Sequence, residues 1–183
     1  MPMQALAEVA GKSTTTDLIL AKQDDPVYLV QHISRQKDVE SIRELVSGMS
    51  NLMVQWVNSG MRAEQVSKVL TAISDAITVR LIQLAEDRYG PAPGPWCWTG
   101  FGSQARGEQL LGADQDNGLV ISDDVSEDDL GWYTALANFV CDGLDEVGYV
   151  YCPGGIMAKT DEWRQPLGRW QDTVRKWART PTP

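Results

Sequence analysis

The stretch WTGFGSQARGEQLLGADQDNGLVISDD, Trp98–Asp124, holds a glycine turn, a serine, an arginine and a D-Q-D triplet in one short run. Its order predicts strand, turn, helical turn, loop and strand. Trp96-Cys97-Trp98-Thr99 is rich in strand formers. Gly100–Ser103 is a turn, Gln104–Leu111 has the length of one or two helical turns, and Gly112–Asp114 is a loop. Gln115–Ser122 carries the apolar run Gly118-Leu119-Val120-Ile121 of a buried strand.

Asp114 and Asp116 stand two apart. On extended backbone, residues two apart point to the same side. Two such carboxylates offer hard oxygen ligands to a magnesium ion and leave coordination positions open for phosphate and water. Gly102-Ser103 precedes the helical turn. A glycine there lets the backbone approach a phosphate, and free N–H groups at a helix start bind it. Ser103 adds a hydroxyl, and Arg106, one turn on, has the fork that holds a phosphate oxygen. Singly these features are ordinary: D-x-D occurs in solvated loops, and G-S is a common helix cap. Together they are the parts that phosphoryl or nucleotidyl transfer requires: an anion cradle, a cation and an aligned nucleophile.

Outward from this stretch, the chain of 183 residues is long enough for a sizeable core, and its 43% hydrophobic and 22% charged composition is that of a soluble globular protein. The net charge of −9 argues against general nucleic-acid binding, which needs a basic face. The cysteines, Cys97, Cys141 and Cys152, are odd in number and widely spaced, so they predict buried free thiols and neither a disulfide framework nor a zinc site. The single histidine, His32, is expected at a solvated or half-buried helix position. No secretory signal or membrane-length apolar run is visible, which makes the cytoplasm the expected compartment.

Met1–Asp25 is mixed, with Ser13–Asp17 able to cap a short helix containing Leu18, Ile19 and Leu20. Asp24-Asp25-Pro26 marks a boundary and a helix start. From Pro26 to Tyr89 the period is helical and predicts three or four antiparallel helices, with a stop at Ser59-Gly60. The cleanest repeat is Val66, Val69, Leu70, Ile73, Ile77, Leu81 and Leu84, ended by Gly90. Pro91-Ala92-Pro93-Gly94-Pro95 forbids helix. Beyond the opening stretch, Asp123–Asp129 reads as a helix start and Leu130–Val147 as a helix. Gly148–Cys152 reads as a strand, and Asp161–Ala178 as a helix with Trp163, Trp170 and Trp177 at seven-residue intervals. The Thr-Pro-Thr-Pro end is expected to fray.

Gly102-Ser103-Gln104-Ala105-Arg106-Gly107-Glu108-Gln109, followed by Asp114-Gln115-Asp116-Asn117, resembles the DUF294 family of nucleotidyltransferases, relatives of the protein-PII uridylyltransferase in the DNA polymerase beta-like superfamily. Leu81–Tyr89 with Gly90-Pro91 and Trp96-Cys97-Trp98 resembles the family's helix-then-strand entry. Cys152-Pro153-Gly154-Gly155-Ile156-Met157-Ala158, with Trp163-Arg164 and Trp170, resembles its next signature. Pro26–Tyr89 resembles the helical segment that precedes the catalytic part, and Thr14–Leu20 the end of a CBS domain.

The resemblance implies an α+β protein: an N-terminal helical bundle, then a small polymerase beta-like core of mixed sheet flanked by helices. Its expected parts are a linker or CBS-like remnant over 1–25, a helical segment over 26–90 and the nucleotidyltransferase core over 91–183. It implies that Gly102 and Ser103 grip the triphosphate of an NTP and that Asp114 and Asp116 bind Mg²⁺ or Mn²⁺. Arg106, Glu108, Gln109 and Asn117 match further motif positions, with Arg106 on phosphate and Glu108 and Gln109 bracing the loop.

The superfamily also uses a third acidic residue on a later strand, expected in this family beyond the tryptophan-rich helix. The chain stops at Pro183 first, so the core is expected to be C-terminally short. Asp145 and Asp161 are the candidates within it. The implied activity is transfer of a nucleoside monophosphate from an NTP to an acceptor hydroxyl, as in uridylylation of a signalling protein. The alternative is a catalytically incomplete nucleotide-binding regulatory module, or one that dimerises through the Pro26–Tyr89 helices. A kinase or phosphatase is disfavoured: the Gly-x-x-x-x-Gly-Lys-Ser/Thr run and histidine clusters are missing.

Overall fold

The computed structural model describes residues 26–180. The expectations for Met1–Asp25, including the short helix near Asp17 and the CBS-like Thr14–Leu20, lie outside the described residues. So does the end of the Thr-Pro-Thr-Pro tail.

Pro26–Tyr89 folds as α1 (Pro26–Ile33), α2 (Val39–Ser47), α3 (Met49–Asn58) and α4 (Ala63–Tyr89). Each boundary has a local cause. Pro26 takes the first position of α1, where its missing N–H costs nothing. Asp38 caps α2, its carboxylate accepting from Ser41 N at 2.8 Å. Gly60 follows α3 with φ +90° and Gly90 ends α4 with φ +84°, both in the region that favours glycine. His32 sits exposed in the last turn of α1. Of the predicted stripe of α4, Val66, Leu70, Ile73, Ile77 and Leu81 are buried together with Ala85, whereas Val69 and Leu84 are half-buried beside them.

After the Pro91–Pro95 linker come β1 (Trp96–Gly100), α5 (Gly102–Ala105), β2 (Asn117–Ile121), α6 (Leu130–Glu146), β3 (Arg164–Pro166) and α7 (Leu167–Arg179). The strands form a mixed sheet in the order β1-β2-β3. β1 and β2 are antiparallel with Trp98 opposite Leu119, and β2 and β3 are parallel with Leu119 opposite Arg164. A helical N-terminal part followed by a small mixed sheet with helices is the α+β arrangement that the sequence led us to expect.

α4 and α6 pack against each other at the centre, and buried residues of the helical part and of the sheet part share one apolar cluster. Gly143 on α6 makes the close approach possible. A Cβ there would lie 2.7 Å from Leu81 Cδ2 on α4. The linker is pinned to α6: Trp132 Nε1 donates to Gly90 O at 3.1 Å, and the Tyr133 hydroxyl both accepts from Gly94 N and donates to Gly94 O.

Four expectations need correcting. Gly148–Cys152 is not a strand; only Tyr151 bridges, in parallel, to Gln115. Pro153 and the Gly154-Gly155 turn follow at once, which leaves no room to extend a ladder. Asp161–Ala178 is not one helix. Asp161–Trp163 is a short 3-10 turn, Arg164–Pro166 is β3, and α7 begins only at Leu167. Pro166 disfavours helical backbone at Gln165, so the chain runs extended alongside β2 before it coils. The helical turn of the opening stretch is Gly102–Ala105, earlier and shorter than Gln104–Leu111. Finally, Cys97 is exposed on β1, whereas Cys141 and Cys152 are buried free thiols.

Trp163, Trp170 and Trp177 nevertheless gather, with ring centroids 5.8 and 5.9 Å from Trp163 to the other two. Trp170 Nε1 donates to Leu119 O at 3.0 Å, which fastens α7 to β2.

Candidate active site

The site sits where β1, α5 and the start of β2 meet. Phe101, between β1 and α5, donates its N–H to Asp116 O at 2.9 Å, and this joins the glycine-serine turn to the D-Q-D run. Gly102 follows with φ +52°. The direction in which its Cβ would point is filled by the Asp116 carboxylate. A larger residue would be strained at that φ, and its Cβ would push the Asp116 carboxylate aside.

Ser103 donates its hydroxyl proton to Gln109 Oε1. Gln109, only 2% exposed, also donates from Nε2 to Asp114 O at 3.1 Å, so one amide ties the serine to the aspartate. Its backbone N–H donates to Thr71 Oγ1 of α4 at 3.0 Å. A second tie runs from Gln104 Nε2 to Asp75 Oδ1 of α4 at 2.9 Å. The long helix is thus the prop on which the turn rests. A cavity of about 350 Å³ opens on this side, with Asp75, Thr78, Trp98 and Gln104 in its wall.

The D-Q-D run alternates as extended backbone should. Gln115 is 3% exposed, and its Nε2 donates to Cys141 O and Tyr149 O, both at 3.0 Å. Asn117, 1% exposed, accepts from Ala158 N at 2.8 Å and donates to Gln115 Oε1 at 3.3 Å. Asp114 and Asp116 are both partly exposed. One carboxylate oxygen of each lies within 4.8 Å of the other and of Cys152 Sγ. The cysteine arrives through the Gln115–Tyr151 bridge, which sets the next residues, Asp116 and Cys152, side by side.

Gly102, Ser103, Gln109, Asp114, Asp116 and Asn117 are therefore one connected assembly. Glu108 joins it through its backbone, the N–H donating to Ser103 O at 2.9 Å, but the side chains of Arg106 and Glu108 do not. Arg106 Nε donates to Glu108 Oε2 at 2.9 Å, and both side chains are exposed. The two later acids are elsewhere engaged. Asp145 on α6 accepts from Tyr151 N at 3.2 Å, and Asp161 pairs with Arg164. β3, the strand parallel to β2, carries Arg164, Gln165 and Pro166 and no acid.

The sequence reading missed three participants. Thr71 and Asp75 looked like any polar residues of a helix. Cys152 lay within a noted motif, yet its nearness to Asp116 depends on a bridge between segments far apart in the chain. The other buried thiol, Cys141, is a poor ligand: burial pushes it up to about 12, which keeps its proton on. Nearby, Lys159 Nζ donates to Asp142 Oδ1 at 2.5 Å, and this bond holds the ammonium above its ordinary range.

Among the described residues no helix is long and apolar enough to cross a membrane. No curated protein and no solved structure matched the chain. A family model described as "Putative nucleotidyltransferase DUF294" matches residues 47–183, a span that holds α4, the sheet and every residue of the assembly. The chain belongs to the DUF294 nucleotidyltransferase family.

Proposed function

We propose that this protein moves a nucleoside monophosphate from an NTP to an acceptor hydroxyl, in the cytoplasm, with Mg²⁺ or Mn²⁺ held by Asp114 and Asp116. The observation that carries this reading is the pair of carboxylates within 4.8 Å of each other, directly against a glycine that has no room for a side chain. Two hard, partly exposed oxygens at that spacing fit a divalent cation. When bound, the cation neutralises phosphate charge and makes the acceptor hydroxyl more acidic.

The chain's own residues supply the rest. Gly102 lets the triphosphate approach the backbone N–H groups of the turn. Gln109 Oε1 accepts the hydrogen bond of the Ser103 hydroxyl, and this fixes the hydroxyl oxygen and the turn around it. Gln115 and Asn117 hold the D-Q-D backbone so that both carboxylates stay on one side. Arg106, released from Glu108, would reach a phosphate oxygen. A tyrosine of a signalling protein is the acceptor that uridylyl transfer would use, and a nucleotide is the first partner in either case.

A second reading has its own observation. β3 offers no carboxylate, and Asp145 and Asp161 are occupied elsewhere. A base for the acceptor hydroxyl would then be lacking, and the protein would bind nucleotide as a regulatory or dimerising module.

Calorimetric titration with each NTP and Mg²⁺ or Mn²⁺ tests both readings. Metal-dependent binding is expected, and it should vanish in Asp114→Ala/Asp116→Ala. No binding by the unaltered protein would remove both. Transfer of label from an α-labelled NTP to protein in a cell extract separates enzyme from sensor.

A further inference from the structure

We propose that Cys152 is a third metal ligand, so that the site is a two-carboxylate, one-thiolate centre that favours softer divalent ions over Mg²⁺. This rests on Asp114 and Asp116 being ligands, as above. Cys152 is 8% exposed, and among the described residues its thiol has no hydrogen-bond partner. A buried sulfur without a partner stands beside two carboxylates instead of apolar neighbours alone. Its Sγ and one oxygen from each aspartate all lie within 4.8 Å of one another. Three evenly spaced ligands at roughly 2.0–2.3 Å from one ion stand at most about 4 Å apart. The three atoms are near enough for rotation of their side chains to bring them onto one ion.

The local fold holds the sulfur in place. The Gln115–Tyr151 bridge fixes the register, and Gly155 N donates to Cys152 O at 2.9 Å, closing the turn behind it. The chemistry then sets the preference. Mg²⁺ wants six hard oxygens in a near-octahedral shell, whereas thiolate with carboxylate suits Zn²⁺, Co²⁺ or Cd²⁺. The ion enters as the thiol proton leaves to solvent, so binding releases a proton and strengthens as pH rises.

Co²⁺ is the probe. In a Cys97→Ser background, which removes the exposed thiol, Co²⁺ should give a thiolate-to-cobalt charge-transfer band in the near ultraviolet. Cys152→Ser should abolish the band and weaken Co²⁺ at least about tenfold, the lower end of what losing even an outer partner of a metal costs. Cys152→Ala should do the same, and near-ultraviolet circular dichroism checks that each variant keeps its tryptophan packing. Asp114→Ala should also lose the band. Co²⁺ binding without a band, or a band that survives Cys152→Ser, overturns the proposal and leaves nucleotidyl transfer standing. A band without nucleotide binding under any cation upholds the thiolate centre and removes the enzyme. Absence of Co²⁺ binding overturns the thiolate centre.

Discussion

The α4 helix and the Phe101–Asn117 segment touch each other, yet they are held by different forces. α4 is fixed by area. Leu70, Ile73, Ile77 and Leu81 are fully buried, and its inward hydroxyls Thr71 and Thr78 bond back to Ser67 O and Ser74 O of the same helix. Apolar contact is non-directional, so such a face tolerates small repacking. Phe101–Asn117 is fixed by directed hydrogen bonds from three nearly buried amides, Gln109, Gln115 and Asn117. A bond of that kind is either made or lost, and the loss strands a buried partner. The difference teaches that the helix sets how stable the protein is, whereas the amides set where the carboxylates stand.

Three substitutions can break or sharpen this contrast. The largest change in stability should come from Leu70→Ala, at about 2–5 kcal/mol for a fully buried leucine. Denaturant unfolding measures it, and the metal affinity of the molecules that remain folded should not change. Asn117→Ala should cost less, about 1–3 kcal/mol, because Ala158 N–H is left buried and unpaired. It should nevertheless weaken Co²⁺ or Mg²⁺ binding, which Leu70→Ala does not. If the two variants lose metal affinity alike, the division of labour fails.

The smallest effect should come from Asp38→Ala, a lost cap on α2 that lowers the melting temperature slightly and leaves the site untouched. The hydrogen bonds from Ser41 hold the Asp38 carboxyl below its ordinary value of 3.8. A depressed folded value means that the contribution is present above pH 3.8 and fades as the pH drops through the lower folded value. The melting temperatures of the two proteins should therefore converge in acid.

The same contrast explains what the sequence could tell. α4 is legible because Val66 to Leu84 repeat at helical spacing and Gly90 stops them. β2 is legible from Gly118-Leu119-Val120-Ile121. The glycine-serine turn and the two aspartates are legible because they fall together in one short run between two strand signals. β3 is not, since Arg164-Gln165-Pro166 has no strand signal and pairs only because β2 is already in place. Cys152 is not, because its meaning depends on one bridge to Gln115. Trp163 was read onto a helix face; it joins the tryptophan cluster from outside the helix, because a proline decides where α7 starts.

The double contact between the Tyr133 hydroxyl and the Gly94 peptide has a mechanical consequence. A run of prolines between a helical half and a sheet half would ordinarily be taken for a hinge. Here the phenol grips both the N–H and the carbonyl of the one glycine in that run, and Trp132 grips the carbonyl of Gly90 at its start. The connection is a strut. A push on the helices would reach the carboxylates as a displacement of the whole body, without bending at the prolines.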